Sequence, residues 1–360
     1  MRNVFATRWG IIIVGIAIGI MASLLQFWGN PANMGICVAC FLRDITGALG
    51  LHRAPVVQYL RPEIIGFILG SFGAAYMFKE FRPRLGSAPI VRFVLGAFAM
   101  IGALLFLGCP WRALLRLAGG DGNAVLGLLG LVAGIWVGTQ FLKNGYNLGP
   151  SHKTYKAAGW IFPIIAAGFL VLMLLNPIIP GEAQSGVLFY SVEGPGSMHA
   201  SLIISLAIGL VIGFIAQKSR FCTMGAIRDL VLFRQTHLFT GILGLAVAAF
   251  VTNLVLNQFN PGFVGQPVAH TMHIWNFAGM GLSGLAFALA GGCPGRQLFL
   301  SGEGDGDAAV FVVGMIAGAA FAHNFGLASS AAGATPAGKI AFVIGLVVCL
   351  LIGFTMREKS

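Results

Sequence analysis

Gly108-Cys109-Pro110-Trp111-Arg112 recurs further along the chain as Gly292-Cys293-Pro294-Gly295-Arg296. The agreement continues downstream, where Gly120-Asp121-Gly122 and Ala124 match Gly304-Asp305-Gly306 and Ala308. An earlier pair keeps the register: Cys37 with Arg43-Asp44 matches Cys222 with Arg228-Asp229, at the same Cys-to-Arg spacing. All these matches are 184 or 185 positions apart, so the chain reads as two related halves rather than as chance motifs.

The surroundings of the motifs fix the class. Of the 360 residues 57% are hydrophobic and only 9% charged, with 52 glycines, and the mean hydropathy is +0.88. A soluble domain carries about a quarter charged residues, so this chain cannot cover itself with a hydrated surface. Apolar runs of about 17–20 residues recur, the length that a hydrocarbon core of about 30 Å demands of a helix. Alternating ten-residue strands are missing, which excludes a membrane β-barrel. The expected fold is therefore an all-α polytopic membrane protein.

Ten spans are expected, near 10–28, 62–79, 92–108, 124–142, 159–176, 200–217, 237–256, 274–291, 307–325 and 339–356. The first apolar stretch has the basic start of a signal peptide, but further spans follow, so it reads as a retained span. A net charge of +11 comes from short loops, not from a basic domain that could hold nucleic acid. Arg2, Arg8, Lys79, Arg82, Arg84, Arg92, Lys143, Lys153, Lys156, Lys218, Arg220, Arg228, Arg234, Arg357 and Lys359 all fall on one side if both termini are cytoplasmic. The 177–199 loop opposite has Glu182 and Glu193 and no Lys or Arg; Arg53, Arg61 and Lys339 are exceptions to the rule. The basic side also meets anionic lipid headgroups.

Five spans per half is an odd number, so the second half enters the membrane upside down, an inverted-topology repeat of the kind many transporters use. The expected divisions are 1–158, a linking span and periplasmic loop at 159–199, and 200–360. The segments at Cys37, Cys109, Cys222 and Cys293 would form four short re-entrant helices that converge near the midplane.

Cys109 and Cys293 each precede a proline, a favoured first helical residue, which puts each thiol near an N-cap. Such an end offers unpaired N–H groups and the positive end of the helix dipole, hence an anion site. Arg112 and Arg296 follow three residues later, within reach of the same turn. Thiols suit a soft, polarizable sulfur or selenium centre better than a hard oxyanion. The expected substrate-binding set is Cys37, Cys109, Cys222, Cys293, Arg112 and Arg296, with Arg43, Asp44, Arg228, Asp229 and Cys40 in support. The Arg-Asp pairs can equally be ion pairs that hold turns. Cys40 has no counterpart, since Gly225 takes its place. Cys349 reads as a small hydrophobe in a span. Asp121 and Asp305 read as turn and N-cap residues. His199, His270, His273 and His323 have no metal spacing, and neither a metal nor another cofactor is expected.

The set Asn33-Met34-Gly35-Ile36-Cys37-Val38-Ala39-Cys40, Arg43-Asp44, Gly108-Cys109-Pro110, Arg228-Asp229 and Gly291-Gly292-Cys293-Pro294-Gly295-Arg296 resembles the YeeE/YedE membrane family. Arg61-Pro62-Glu63-Ile64-Ile65-Gly66 and Ala322-His323-Asn324-Phe325-Gly326-Leu327-Ala328 look like its YedE branch, assigned to selenium metabolism as selenium transporters. The resemblance implies an inner-membrane transporter of a small sulfur or selenium anion, thiosulfate or a selenium species such as selenite or a reduced compound. It further implies that Cys37, Cys109, Cys222 and Cys293 pass the anion along a central path. No Walker motif is present, so this chain does not itself hydrolyse ATP. Two other readings stand beside transport. One is a membrane thiol–disulfide oxidoreductase using Cys37-x-x-Cys40. The other is a scaffold that feeds a cytoplasmic sulfur or selenium carrier protein.

Overall fold

Long apolar runs become helices because the bilayer leaves a backbone no other way to satisfy its N–H and C=O groups. The computed structural model describes residues 4–178 and 186–357; Arg2, Glu182 and Lys359 lie outside the described residues. The first half runs α1 (Arg8–Phe27), α2 (Val38–Ala48), α3 (Pro62–Met77), α4 (Pro89–Phe106), α5 (Pro110–Ala118), α6 (Asn123–Lys143) and α7 (Lys156–Leu175). The second runs α8 (Leu202–Ser219), α9 (Thr223–Phe233), α10 (His237–Val255), α11 (His273–Ala290), α12 (Pro294–Gly302), α13 (Gly306–Asn324) and α14 (Pro336–Thr355).

Both halves thus read long, short, long, long, short, long, long. The short members have 11 and 9 residues in each half. At 1.5 Å per residue they reach only about 14–17 Å, half of a hydrocarbon core. The protein is an all-α, multi-pass membrane protein: nine stretches among the described residues are long and apolar enough to cross. The tenth span, expected over 62–79, is a helix of 16 residues that ends at Met77. It is apolar but reaches only about 24 Å, so it is shorter than the sequence reading made it.

Packing follows the same correspondence. The α1–α10 contact is matched by α8–α3, and α4–α13 by α11–α6, while α4 packs on α11 itself. The last helix of each half breaks the pattern, since α7 lies on α3, α12 and α13 but α14 lies on α11, α4 and α6. The α3–α8 contact shows why glycine is so common. A Cβ on Gly66 would lie 2.7 Å from the Gly209 backbone, and one on Gly70 2.1 Å from the Leu210 carbonyl. Backbones approach this closely in membranes because dispersion, not water exclusion, holds helices together there.

Helix ends sort onto two faces. On one, the Arg92 guanidinium near the start of α4 donates to the Ala290 carbonyl at the end of α11 (3.1 Å), and Asn147 N–H donates to the Met356 carbonyl (3.0 Å). On the other, the Ala200 N–H before α8 donates to Asn30 beyond the end of α1 (2.9 Å), and Asn324, the last residue of α13, donates to the Leu51 carbonyl (2.9 Å). So α1 ends where α8 begins, and α4 begins where α11 ends.

Candidate functional site

Each Gly-Cys-Pro motif is built by the same local steps. The long helix before it closes on a left-handed residue, Leu107 at φ 66° or Gly291 at φ 82°. The next N–H then reaches back five residues, Gly108 to the Ala103 carbonyl (2.7 Å) and Gly292 to that of Phe287 (3.0 Å). This is the hydrogen bond of a Schellman end. The cysteine is extended, with ψ of 176° at Cys109 and 165° at Cys293, and the proline opens the short helix. Leucine bears the left-handed turn at a cost of about 1–2 kcal/mol that glycine avoids.

Cys37 and Cys222 cap the other two short helices with sulfur. The Cys37 thiol accepts from the Cys40 N–H, and the Cys222 thiol from the Gly225 N–H, both at 3.3 Å. The four caps meet in two pairs. Cys37 Sγ lies 3.7 Å from Cys109 Sγ, and Cys222 Sγ lies 3.7 Å from Cys293 Sγ. All four are buried and none is in a disulfide. Each pair joins the N-termini of two half-length helices, so two positive dipole ends add at one spot without a lysine.

Trp111, two residues after Cys109, packs against residues that adjoin the other pair. Its ring packs on Phe67 (6.0 Å between centroids), on Phe299 (6.0 Å) and on Phe221 (5.9 Å), which precedes Cys222. A Cβ on Gly295, two residues after Cys293, would sit 3.2 Å from the indole. The Trp111 Nε1 donor is buried and has no partner. The sequence reading passed over Trp111, although the variable position of its motif, Trp in one half and Gly in the other, is a visible signal.

The arginines of the motifs do not point at the thiol pairs. The Arg112 guanidinium, fully buried, donates to the carbonyls of Asn33 (3.3 Å), Leu107, Pro267 (3.2 Å) and Val268 (3.1 Å) and to Cys40 Sγ (3.5 Å). Arg296 pairs with Glu303 at 3.1 Å. Glu303 also binds Arg220 (2.7 Å), and Glu80 binds Arg220 (3.2 Å) and Lys218 (2.8 Å). This network ties the ends of α3, α8 and α12 together with three cations and two carboxylates. Burial raises the Glu80 carboxyl, but hydrogen bonds from Lys218 and Gln217 and the Arg220 charge hold it below its ordinary range.

The Arg-Asp pairs differ between halves. Asp44 binds Arg43 (2.7 Å) and Arg61 (2.7 Å) in full burial, whereas Arg228–Asp229 (2.8 Å) is partly exposed. Arg61 continues to the carbonyls of Pro195 (2.7 Å) and Met198 (3.0 Å), so it fastens the loop before α8. Asp305 caps α13 by accepting from the Ala308 N–H (3.1 Å), and Asp121 accepts from Arg116 (2.6 Å) and the Asn123 N–H (2.9 Å). Cys349 is a buried thiol within α14. Among the described residues no group of three or more His, Cys, Asp or Glu could hold a metal ion.

Comparison with known proteins bears on the same motifs. Residues 218–356 match the model of a family described as sulphur transport, a stretch that holds Cys222, Arg228, Asp229, Cys293 and Arg296. The chain is 31% identical over 104 residues to a thiosulfate transporter, TsuA, of Spirochaeta thermophila, covering 28% of this chain and 29% of that protein. It is 27% identical over 108 residues to the thiosulfate transporter TsuA of Escherichia coli, covering 30% of each. The matches thus span less than a third of the length of these curated relatives. They bear out the resemblance to the YeeE/YedE family.

Proposed function

We propose that this protein carries a small sulfur-containing anion across the membrane, with its two thiol pairs as successive binding points on either side of Trp111. The observation that carries the reading is the twofold pairing at 3.7 Å of cysteines that cap short helices. A soft sulfur anion gains from weak S–H donors and from convergent helix dipoles, which offset part of what it loses on leaving water. The partial match to a sulphur-transport family and to thiosulfate transporters supports the same class, and makes transport a better account than catalysis.

Thiosulfate is the first substrate to test, and a selenium species such as selenite or a reduced selenium compound the second. The halves form an inverted-topology repeat divided at 1–158, 159–199 and 200–360. The orientation of α1 against α8 and of α4 against α11 supports that reading. Both termini lie in the cytoplasm of a bacterial inner-membrane protein, where the basic loops meet anionic lipid. Arg112 then positions the Cys109 turn rather than binding the anion, and Arg296 with Arg220 forms a basic cytoplasmic mouth. A cytoplasmic sulfur or selenium carrier protein would take the anion there.

The oxidoreductase reading needs Cys37 and Cys40 to face one another. The Cys37 thiol meets both Cys109, whose sulfur is 3.7 Å away, and Cys40, whose sulfur also takes an Arg112 N–H, so Cys37 has two candidate thiol partners and the comparisons favour transport. Uptake of labelled thiosulfate, selenite and sulfate into proteoliposomes tests the assignment. Thiosulfate or selenite should enter and sulfate should not; equal entry of sulfate would remove the softness argument.

A further inference from the structure

Glu63 is the second residue of α3, directly after Pro62, and it is fully buried. One carboxyl oxygen, Oε1, accepts from Asn30 Nδ2 at 2.8 Å, and the other, Oε2, has no partner. A buried carboxylate with an open oxygen is costly in a membrane protein, and such residues mark ion and proton pathways. The second residue of α10 is Leu238, and α10 carries no acidic residue.

Asn30 links that carboxyl to the moving parts of the proposed path. Its Nδ2 also donates to the Gly35 carbonyl (2.9 Å), two residues before Cys37, and its Oδ1 accepts from the Ala200 N–H (2.9 Å) at the entry to α8. One side chain therefore joins Glu63, the loop that aims the Cys37 thiol and the start of the second half. The charged and titratable neighbours are few. Arg61 is held by Asp44 and two carbonyls, and Asp44 also holds Arg43. Tyr59 and His199 stack at 4.4 Å between centroids, and with Tyr190 they line a cleft of about 530 Å³. From α8, Gly209 lies against the Glu63 backbone, and it brings no charge.

We propose that Glu63 is a proton-binding site and that movement of the anion past Cys37 is coupled to its protonation, which makes the protein a proton-linked carrier. The proposal rests on the transport reading above. A hydronium ion gives its proton to Oε2, leaving water and a neutral carboxylic acid; release is the reverse. The ionised carboxylate repels an anion arriving at the Cys37 loop, and the neutral acid does not. Linkage makes this reciprocal, so bound anion favours the proton as much as the proton favours the anion.

The test uses the full chain in proteoliposomes, with the membrane potential clamped and an acid-outside pH gradient imposed. One coupled proton gives about tenfold more thiosulfate accumulation per pH unit, since a unit of pH is tenfold in proton activity. Glu63→Gln should abolish this response and Glu63→Asp should keep it. Indifference of the unaltered protein to the gradient, or a full response in Glu63→Gln, overturns the proposal. An infrared pH titration of the purified protein needs no transport and separates this idea from the transport reading. A titrating carboxylic C=O band that vanishes in Glu63→Gln and shifts in Glu63→Asp supports the site; a spectrum without such a band overturns it, even if thiosulfate is carried.

Discussion

The indole of Trp111 lies 3.2 Å from where a Cβ on Gly295 would stand, so the two Gly-Cys-Pro-x-Arg motifs touch through the one position at which they differ. One half supplies the ring and the other supplies the space for it. The ring sits beside Phe67, Phe221 and Phe299.

Trp111→Ala should leave a cavity and cost about 3–5 kcal/mol in stability. Trp111→Phe keeps an aromatic ring in the cluster while removing the unpartnered N–H and part of the volume, so the purified protein should stay monodisperse while uptake slows. Gly295→Leu should overpack the contact by about 1–3 kcal/mol. Thermal unfolding in detergent, followed beside uptake, separates these outcomes.

Mild oxidation should give Cys37–Cys109 and Cys222–Cys293 crosslinks, because those sulfurs already face each other. Cys40 also meets the Cys37 thiol, so a Cys37–Cys40 disulfide competes for Cys37, and the Arg112 contact on the Cys40 sulfur should keep it the minor product. Peptide mapping by mass spectrometry reads the pairing directly, and a dominant Cys37–Cys40 product would revive the oxidoreductase reading.

Cys349→Ala should change uptake little, since that thiol only fills space within α14. Cys40→Ala should have a moderate effect, because it removes a contact of Arg112 and leaves the facing pair intact. Initial uptake rates of the two variants measure the difference.

Acidification should loosen the network of Glu80 and Glu303 with Lys218, Arg220 and Arg296. The Glu80 carboxyl is held below its ordinary value in the folded protein, so its stabilising effect is complete above the unfolded carboxylate value and is lost as pH falls through the folded one. The melting temperature should therefore drop on the acid side, and Glu80→Gln should flatten that limb of the profile.

Much of the architecture was legible because hydropathy writes each span into the sequence locally. The expected spans at 200–217, 274–291 and 339–356 became Leu202–Ser219, His273–Ala290 and Pro336–Thr355. The thiols' place at N-caps was legible from Cys-Pro spacing. Their pairing was not, since Cys37 and Cys109 are 72 residues apart and meet only through the packing of two short helices. The partners of the arginines were not legible, for a physical reason. Side chains on a helix lean toward its N-terminus, which carries Arg112 back onto the Leu107 carbonyl that closes α4. At the equivalent place in the other half Glu303 replaces Gly119, and Arg296 turns to it instead.

The central claim is that facing thiols carry the anion, and labelled thiosulfate uptake into proteoliposomes tests it most directly. Cys109→Ala and Cys293→Ala should each abolish uptake while the protein remains folded and monodisperse. Uptake that survives either change would contradict the account.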